Sequence, residues 1–384
     1  MAVPSETTFY LALGLIVIGT GVLKPSVTAM VGGLYPTDDA RRDAGFSIFY
    51  MGINLGATVA PLVTGWLGQR INWHLGFAVA GLGMVAGLVQ YHRGAAALGD
   101  VGLRAPEATD ARRWRQVGLI AGMPVVLLVA LALATSARWP VLRMADFGGI
   151  AIVAAAALYF VVAGRRPDLT HTNRRHLGAM AVFFLASAVC WSALEQAGSS
   201  LNLFAQRNTD LNIGGWAMPA SWLQSVAPFS IIVLAPVFAW LWVALSRSGR
   251  EPSTHGKFVV GMLCISLGFA VLTVAAARAS TGQLVSPLWL VGGYLLHTIG
   301  ELSFSPVGYS LVTRLSPPSM SSQLIGVWLT SIALGNLIAG RIAGLIGTRP
   351  LPQVFAFVAC GVLAAAAVLH VLKRPVRRLM GEVP

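Results

Sequence analysis

The sequence predicts an all-α polytopic membrane protein, and three observations carry that prediction. Of 384 residues, 56% are hydrophobic and only 11% are charged, against about 25% charged in an ordinary globular chain. The apolar residues gather in runs long enough to cross a bilayer, for which about 20 suffice. Between the runs, basic residues concentrate in every second connection, as in a chain threaded back and forth with its basic loops on one side.

Taken in order, eleven runs qualify as spans: 8–34, 46–68, 73–91, 116–136, 145–163, 177–204, 219–245, 257–277, 286–312, 320–346 and 353–372. Pro25, Pro236 and Pro306 fall inside three of them. Such prolines would break a soluble helix, but neighbours in a membrane bundle re-satisfy the freed backbone groups. Gly340 and Gly344 form a small-xxx-small pair, which predicts close helix contact there. The connections 35–45, 92–115, 164–176, 246–257, 313–319 and 373–384 hold most of the basic residues, among them Arg41, Arg93, Arg165, Arg174, Lys373 and Arg377. The C-terminus is therefore expected in the cytoplasm. An odd number of spans then sets Met1 on the outer side, which predicts an N-terminally truncated chain. The connection 92–115 is the longest of the basic ones and reads as a linker between two bundles. The spans after it, 116–136 and 145–163, carry almost no polar group in mid-span and read as lipid-facing packing helices.

The same composition narrows the function. A net charge of +13 would suggest nucleic acid in a soluble protein. Here the charge lies between apolar runs, where topology accounts for it, so no nucleic-acid partner is expected. Cys190, Cys264 and Cys360 are scattered in apolar runs and form neither a metal spacing nor a disulfide framework. The opening MAVPSETT lacks the basic n-region of a signal peptide. Gly19 and Gly21 lie in mid-run and do not follow a strand, so they cradle no phosphate. No HExxH, paired GxGD or Ser–His arrangement is present, so the chain is not expected to be an enzyme. No cofactor is expected either; without an ATPase motif, a proton gradient is the cheapest source of energy.

Chemistry then rests on the few polar groups left inside the spans. Lys24 is flanked by apolar sequence on both sides. A lysine at a helix centre costs about 2.5–3.5 kcal/mol on insertion scales, and is kept when it faces a cavity, a partner or a substrate; the structural alternative is a Lys24 that snorkels to an interface. Glu195 and Glu301 are the carboxylates well inside spans. Burial favours the protonated form of a carboxyl group and a nearby cation the ionised form, so a carboxyl group alternating between the two can carry a proton. Trp191, Glu195 and Ser199 are predicted on one helix face at i, i+4 and i+8, with an ion pair from Glu195 to Arg341 as the structural alternative. His297 precedes Glu301 by four and reads either as a proton relay or as a hydrogen-bonded core histidine. Asn54 reads as a ligand contact or an interhelical hydrogen bond, and Trp328 as packing, an interfacial anchor or a ligand contact. A buried cation in the first part and two buried acids in the second suit a zwitterionic solute.

These residues lie in motifs that resemble the proton-dependent oligopeptide transporter family of the major facilitator superfamily, over essentially the whole chain. GTGVLKPSV followed by RRDAGFSIFYMGINLGA is similar to the family's fourth and fifth helices, and NWHLGFAVAGLGM to the sixth. WSALEQAGSSLNLFA is similar to the seventh, SWLQ to the eighth and GELSFSPVG to the tenth. The resemblance implies a partial N-terminal bundle of three helices over 1–91, a linker with two inserted helices over 92–176 and a six-helix C-terminal bundle over 177–384. It further implies proton-coupled symport of di- or tripeptides across the inner membrane, with small peptide, protons and membrane lipid as partners. By the same resemblance Lys24 meets the peptide carboxylate and shares in proton coupling with Glu195. Glu301 holds the amino group, Asn54 lines the site, and Trp191 and Trp328 wall the side-chain pockets. Two departures stand out. The family's first three helices, with their ExxER motif, have no counterpart, which leaves a non-transporting protein or a subunit needing a partner as the alternative. Ala227 stands where many members have an Asn near the peptide amine, so the solute is expected to be an unusual peptide or another small zwitterion.

Overall fold

The computed structural model describes residues 1–34, 41–99, 101, 141–167, 169–317 and 320–381. Ten of the eleven expected spans fall on helices of these residues; the eleventh, 116–136, lies outside them. Eight described helical segments are long and apolar enough to cross a membrane. The chain divides into two compact units, Met1–Ala145 and Asp146–Pro384.

The first unit contains α1 (Glu6–Gly33), α2 (Arg41–Arg70) and α3 (Trp73–Gly94). Pro61 sits inside α2 without ending it. The α2–α3 turn is tight because Asn72 caps α3, its side-chain oxygen accepting the His74 N–H at 2.7 Å. Gly76 then lets α3 fold back on α2, since a Cβ there would lie 2.7 Å from the Thr64 carbonyl oxygen.

From residue 141 on come α4 (Val141–Gly164), α5 (His171–Leu194), α6 (Ser200–Asn208), α7 (Val226–Arg247), α8 (Thr254–Ala279), α9 (Leu288–Leu315), α10 (Ser321–Ala343), α11 (Leu351–Val371) and the short α12 (Lys373–Met380). A two-residue hairpin follows α6, pairing Ile213 with Trp216. Its turn residues Gly214 and Gly215 have φ of 61° and 86°, the positive pair that a tight hairpin needs and that glycine adopts without strain. Pro236 and Pro306 lie inside α7 and α9, which continue through them as expected.

The core of the second unit is aromatic and small-residue. Phe183, Phe204, Phe258, Phe269, Phe304 and Phe355 are fully buried. The helices α8 and α9 run antiparallel in close contact: a Cβ on Gly261 would meet the Gly300 carbonyl oxygen at 2.8 Å, and one on Gly268 would meet His297. The helices α8 and α11 are also antiparallel, joined by Ser266 Oγ donating to the Ala359 carbonyl at 2.9 Å and by Phe269 against Phe355. The helices α5 and α10 run parallel. Ser187 and Ser331 hydroxyls meet at 3.0 Å, and one turn on Gly335 passes Trp191 so closely that a Cβ would lie 2.5 Å from the Trp191 Cβ. Small residues bring backbones together in this way where lipid supplies no hydrophobic drive. Among the described residues, the expected contact at Gly340 and Gly344 is not the one formed. There a Cβ on Gly340 would meet nothing within 4 Å, and one on Gly344 would meet only carbonyl oxygens of its own helix. The face that packs is Ser331, Gly335 and Ala339, a step around α10.

Candidate functional site

The site begins where α5 stops. Helical hydrogen bonding ends at Leu194, Glu195 is the C-cap, and Glu195–Gly198 forms a 3-10 turn before the chain resumes as α6. The expected face of Trp191, Glu195 and Ser199 therefore does not exist as a continuous α-helical stripe. Ser199 lies past the break, with its hydroxyl donating to Gln196 Oε1 at 3.4 Å. Gly198, Ser199 and Ser200 loosen the helix here: glycine lowers helix propensity, and serine offers the backbone competing hydrogen bonds.

Gln196 holds the break in place, and sequence reasoning passed over it. Fully buried, it donates from Nε2 to the Ala339 carbonyl on α10 at 3.2 Å and to the Ser192 carbonyl at 3.3 Å. Its Oε1 accepts from Ser200 Oγ at 2.6 Å. A side chain that bonds both sides of the interruption and the neighbouring helix fixes where Glu195 emerges. The only sequence signal was a polar residue beside the acid.

Glu301 lies on α9, in the same unit, within electrostatic reach of Glu195. Both carboxylates are half-buried. Trp191 is half-buried too, and its ring meets Phe304, one turn along from Glu301, at 5.9 Å. Glu195, Glu301 and Trp191 are thus brought together by α5 and α9.

The other expected residues are placed differently. Trp328 is only 4% exposed. Its ring fills the hollow over Gly308 and connects to Trp191 through Phe258 and Phe304, at 6.5, 5.7 and 5.9 Å between successive rings. His297 is 3% exposed, stacks on Phe269 at 4.7 Å and faces Gly268 of α8. It is part of the α8–α9 packing, with its Nε2 atom lacking a hydrogen-bond partner among the described residues. Asn54, on α2 in the first unit, is buried and donates from Nδ2 to the Tyr50 carbonyl of its own helix at 3.0 Å. Lys24 belongs to α1, and its side chain lies outside the described part of the structure. Ala227 opens α7, where its carbonyl accepts from the Thr298 hydroxyl at 3.5 Å.

A set of long apolar helices, one of them broken at a carboxylate and a neighbouring one carrying a second, has the build of a membrane transporter. The chain belongs to the POT family, whose sequence profile matches residues 3–354. It is 40% identical to the peptide transporter YePEPT of Yersinia enterocolitica subsp. palearctica, over 97% of this chain and 76% of that protein. The fold is similar to a crystal structure of a POT peptide transporter in complex with sulfate, with a TM-score of 0.90 and 37% identity over 99% of this chain and 77% of that one. It is also similar to a POT family transporter crystallised with 5-aminolevulinic acid, with a TM-score of 0.89 and 28% identity over 98% of this chain and 78% of that one. The chain is thus a multi-pass membrane transporter of a peptide-transport family, and not an enzyme.

Proposed function

We propose that this chain carries out proton-coupled symport of di- or tripeptides, or of related small zwitterions, across the plasma (inner) membrane by alternating access of two bundles. The observation that carries the reading is a pair of half-buried carboxyl groups inside the apolar helices of the second unit, Glu301 on α9 and Glu195 at a helix break pinned by Gln196. A carboxylate at an interruption can change its surroundings when the helix moves, which proton coupling requires. Glu195 and Lys24 couple the proton. Lys24 takes the peptide carboxylate, Glu301 the amino group, and Asn54 and Trp191 contact the rest of the solute. Trp328 supports that aromatic wall from behind, through Phe258 and Phe304. The solutes named for relatives, peptides and an amino acid-like zwitterion, favour the same chemistry. The three-part organisation at 1–91, 92–176 and 177–384 belongs to this reading, as do a cytoplasmic C-terminus and the proton gradient, with no cofactor, as driving force.

Reconstituted uptake tests it. Glu195→Gln is expected to abolish accumulation driven by a proton gradient while leaving counterflow exchange within a few-fold. Unchanged gradient-driven uptake would remove Glu195 from coupling. Lys24→Ala is expected to weaken binding of peptides with a free carboxylate roughly 10- to 100-fold, the worth of about 1.5–3 kcal/mol for a charged hydrogen bond. C-amidated peptides should be affected far less, and equal losses for both would mark Lys24 as structural.

A further inference from the structure

Away from that site, the end of the second unit where α11 passes into α12, the one expected on the cytoplasmic face, carries a cavity of about 560 Å³ lined by His370, Val371, Lys373, Arg374 and Arg377. We propose that this cleft binds the phosphate headgroup of an anionic membrane lipid. The inference does not depend on which solute the protein moves.

The cleft is built on a fixed frame. Val376 and Met380, four residues apart on α12, are 1% and 5% exposed. With Leu379, whose side chain would lie 3.7 Å from a Cβ on Gly178, they dock the helix on α5. This leaves Lys373, Arg374, Arg377 and Arg378 on the exposed side. The end of α11 is fixed as well, by the His255 ring bonding to the Leu369 carbonyl at 2.6 Å. Three permanent cations and an imidazole thus converge, and among the described residues no carboxylate lines the cleft. Arginine forks suit phosphate oxygens, and basic pockets beside the cytoplasmic ends of spanning helices suit anionic headgroups.

What favours a lipid over a free anion is the surface below the cleft. Val371 at its rim is 77% exposed, and Val368 and Phe357, further along the same side of α11, are 58% and 61% exposed. Between them Cys360, Gly361 and Ala364 are exposed small residues. A charged cleft beside an exposed apolar helix side matches the two ends of a phospholipid.

Native mass spectrometry of the full chain, released from detergent and supplied with defined lipids, tests the assignment. An anionic phospholipid is expected to bind more tightly than a zwitterionic one of equal chain length. Arg374→Gln/Arg377→Gln should weaken the anionic lipid about tenfold or more, at about 1 kcal/mol per basic residue, and leave the zwitterionic lipid unchanged. Arg374→Lys/Arg377→Lys should retain binding within a few-fold, which separates charge from folding. Arg247→Gln/Arg250→Gln, at the α7–α8 connection, should have no effect. Wild-type affinity in the Arg374/Arg377 double Gln variant, or an equal loss in the Arg247/Arg250 variant, would overturn the site. Displacement of the lipid by inorganic phosphate at equal concentration would assign the cleft to a free anion and overturn the lipid reading.

Discussion

Lys257 shows how a single charge is housed in the first turn of a long apolar helix. It is 11% exposed, with its ammonium 4.6 Å from the centre of the Trp242 ring and 2.5 Å from Glu251 Oε1. Hydrogen bonds from Lys257 first, and then from Ser246, hold the Glu251 carboxyl below the usual carboxylate range. A carboxyl group so depressed contributes stability that is complete above its unfolded-state value, about 4.3. That contribution is lost as the pH falls through the lower folded-state value. The Glu251 side chain is 38% exposed, so solvent screening keeps the contribution to at most about 1 kcal/mol. Glu251→Gln is therefore expected to lower the thermal midpoint in detergent slightly at pH 7 and to converge on the native protein near pH 3. A gap that widens on acidification would contradict the sign. Lys257→Met should cost more than Glu251→Gln, because it also removes the contact with Trp242 that ties α7 to α8.

At the scale of elements, the parallel crossing of α5 and α10 governs where the carboxylate at the break is presented. Gly335 is its closest point: a Cβ there would meet the Trp191 Cβ at 2.5 Å and the Ser192 backbone nitrogen at 3.0 Å, and backbone cannot turn aside. Gly335→Ala is expected to cost about 1–3 kcal/mol, as overpacking does, and to reduce uptake by displacing Trp191. Gly340→Ala, five residues on, meets no neighbour among the described residues and should stay within about 0.5 kcal/mol. Comparing the two thermal midpoints checks both, and equal midpoints would show that the crossing is looser than this geometry. The pair also shows what a sequence conveys. Apolar length and proline tolerance located ten described spans, because both follow from the bilayer's thickness and its lack of water. The small-residue spacing was read at Gly340 and Gly344 when Ser331, Gly335 and Ala339 do the packing, because spacing gives a period without naming the face. The i, i+4, i+8 face through Glu195 assumed an unbroken helix, although Gly198-Ser199-Ser200 marked the interruption. Glu195, Glu301 and Trp191 stood out as polar or aromatic groups in apolar runs, whereas Gln196 did not, since its role appears only once Ala339 lies opposite.

For the molecule as a whole, the alternation of charge read along the sequence has a counterpart in space. The basic starts of α5 and α8 and the whole of α12 lie at one end of the second unit. Leu379 of α12 lies over Gly178 of α5, and His255 of α8 bonds the Leu369 carbonyl at 2.6 Å. The opposite end holds the small hairpin, the Asp210 N–H bonded to the Val285 carbonyl at 2.8 Å, and Arg278 stacked 5.1 Å over the Trp289 ring. Basic loops resist translocation, so the end carrying Arg165, Arg166, Arg174, Arg175 and the α12 cations is expected on the cytoplasmic face. Alkaline phosphatase fused after Met380 should therefore be inactive and a fluorescent protein fused there should fold and emit, while phosphatase inserted at Gly214 should be active. The opposite pattern at both positions would invert the molecule in the membrane and carry the cleft beside α12 to the outer leaflet. Activity at both positions would mean that the α5–α11 helices do not cross the bilayer in the order in which they pack.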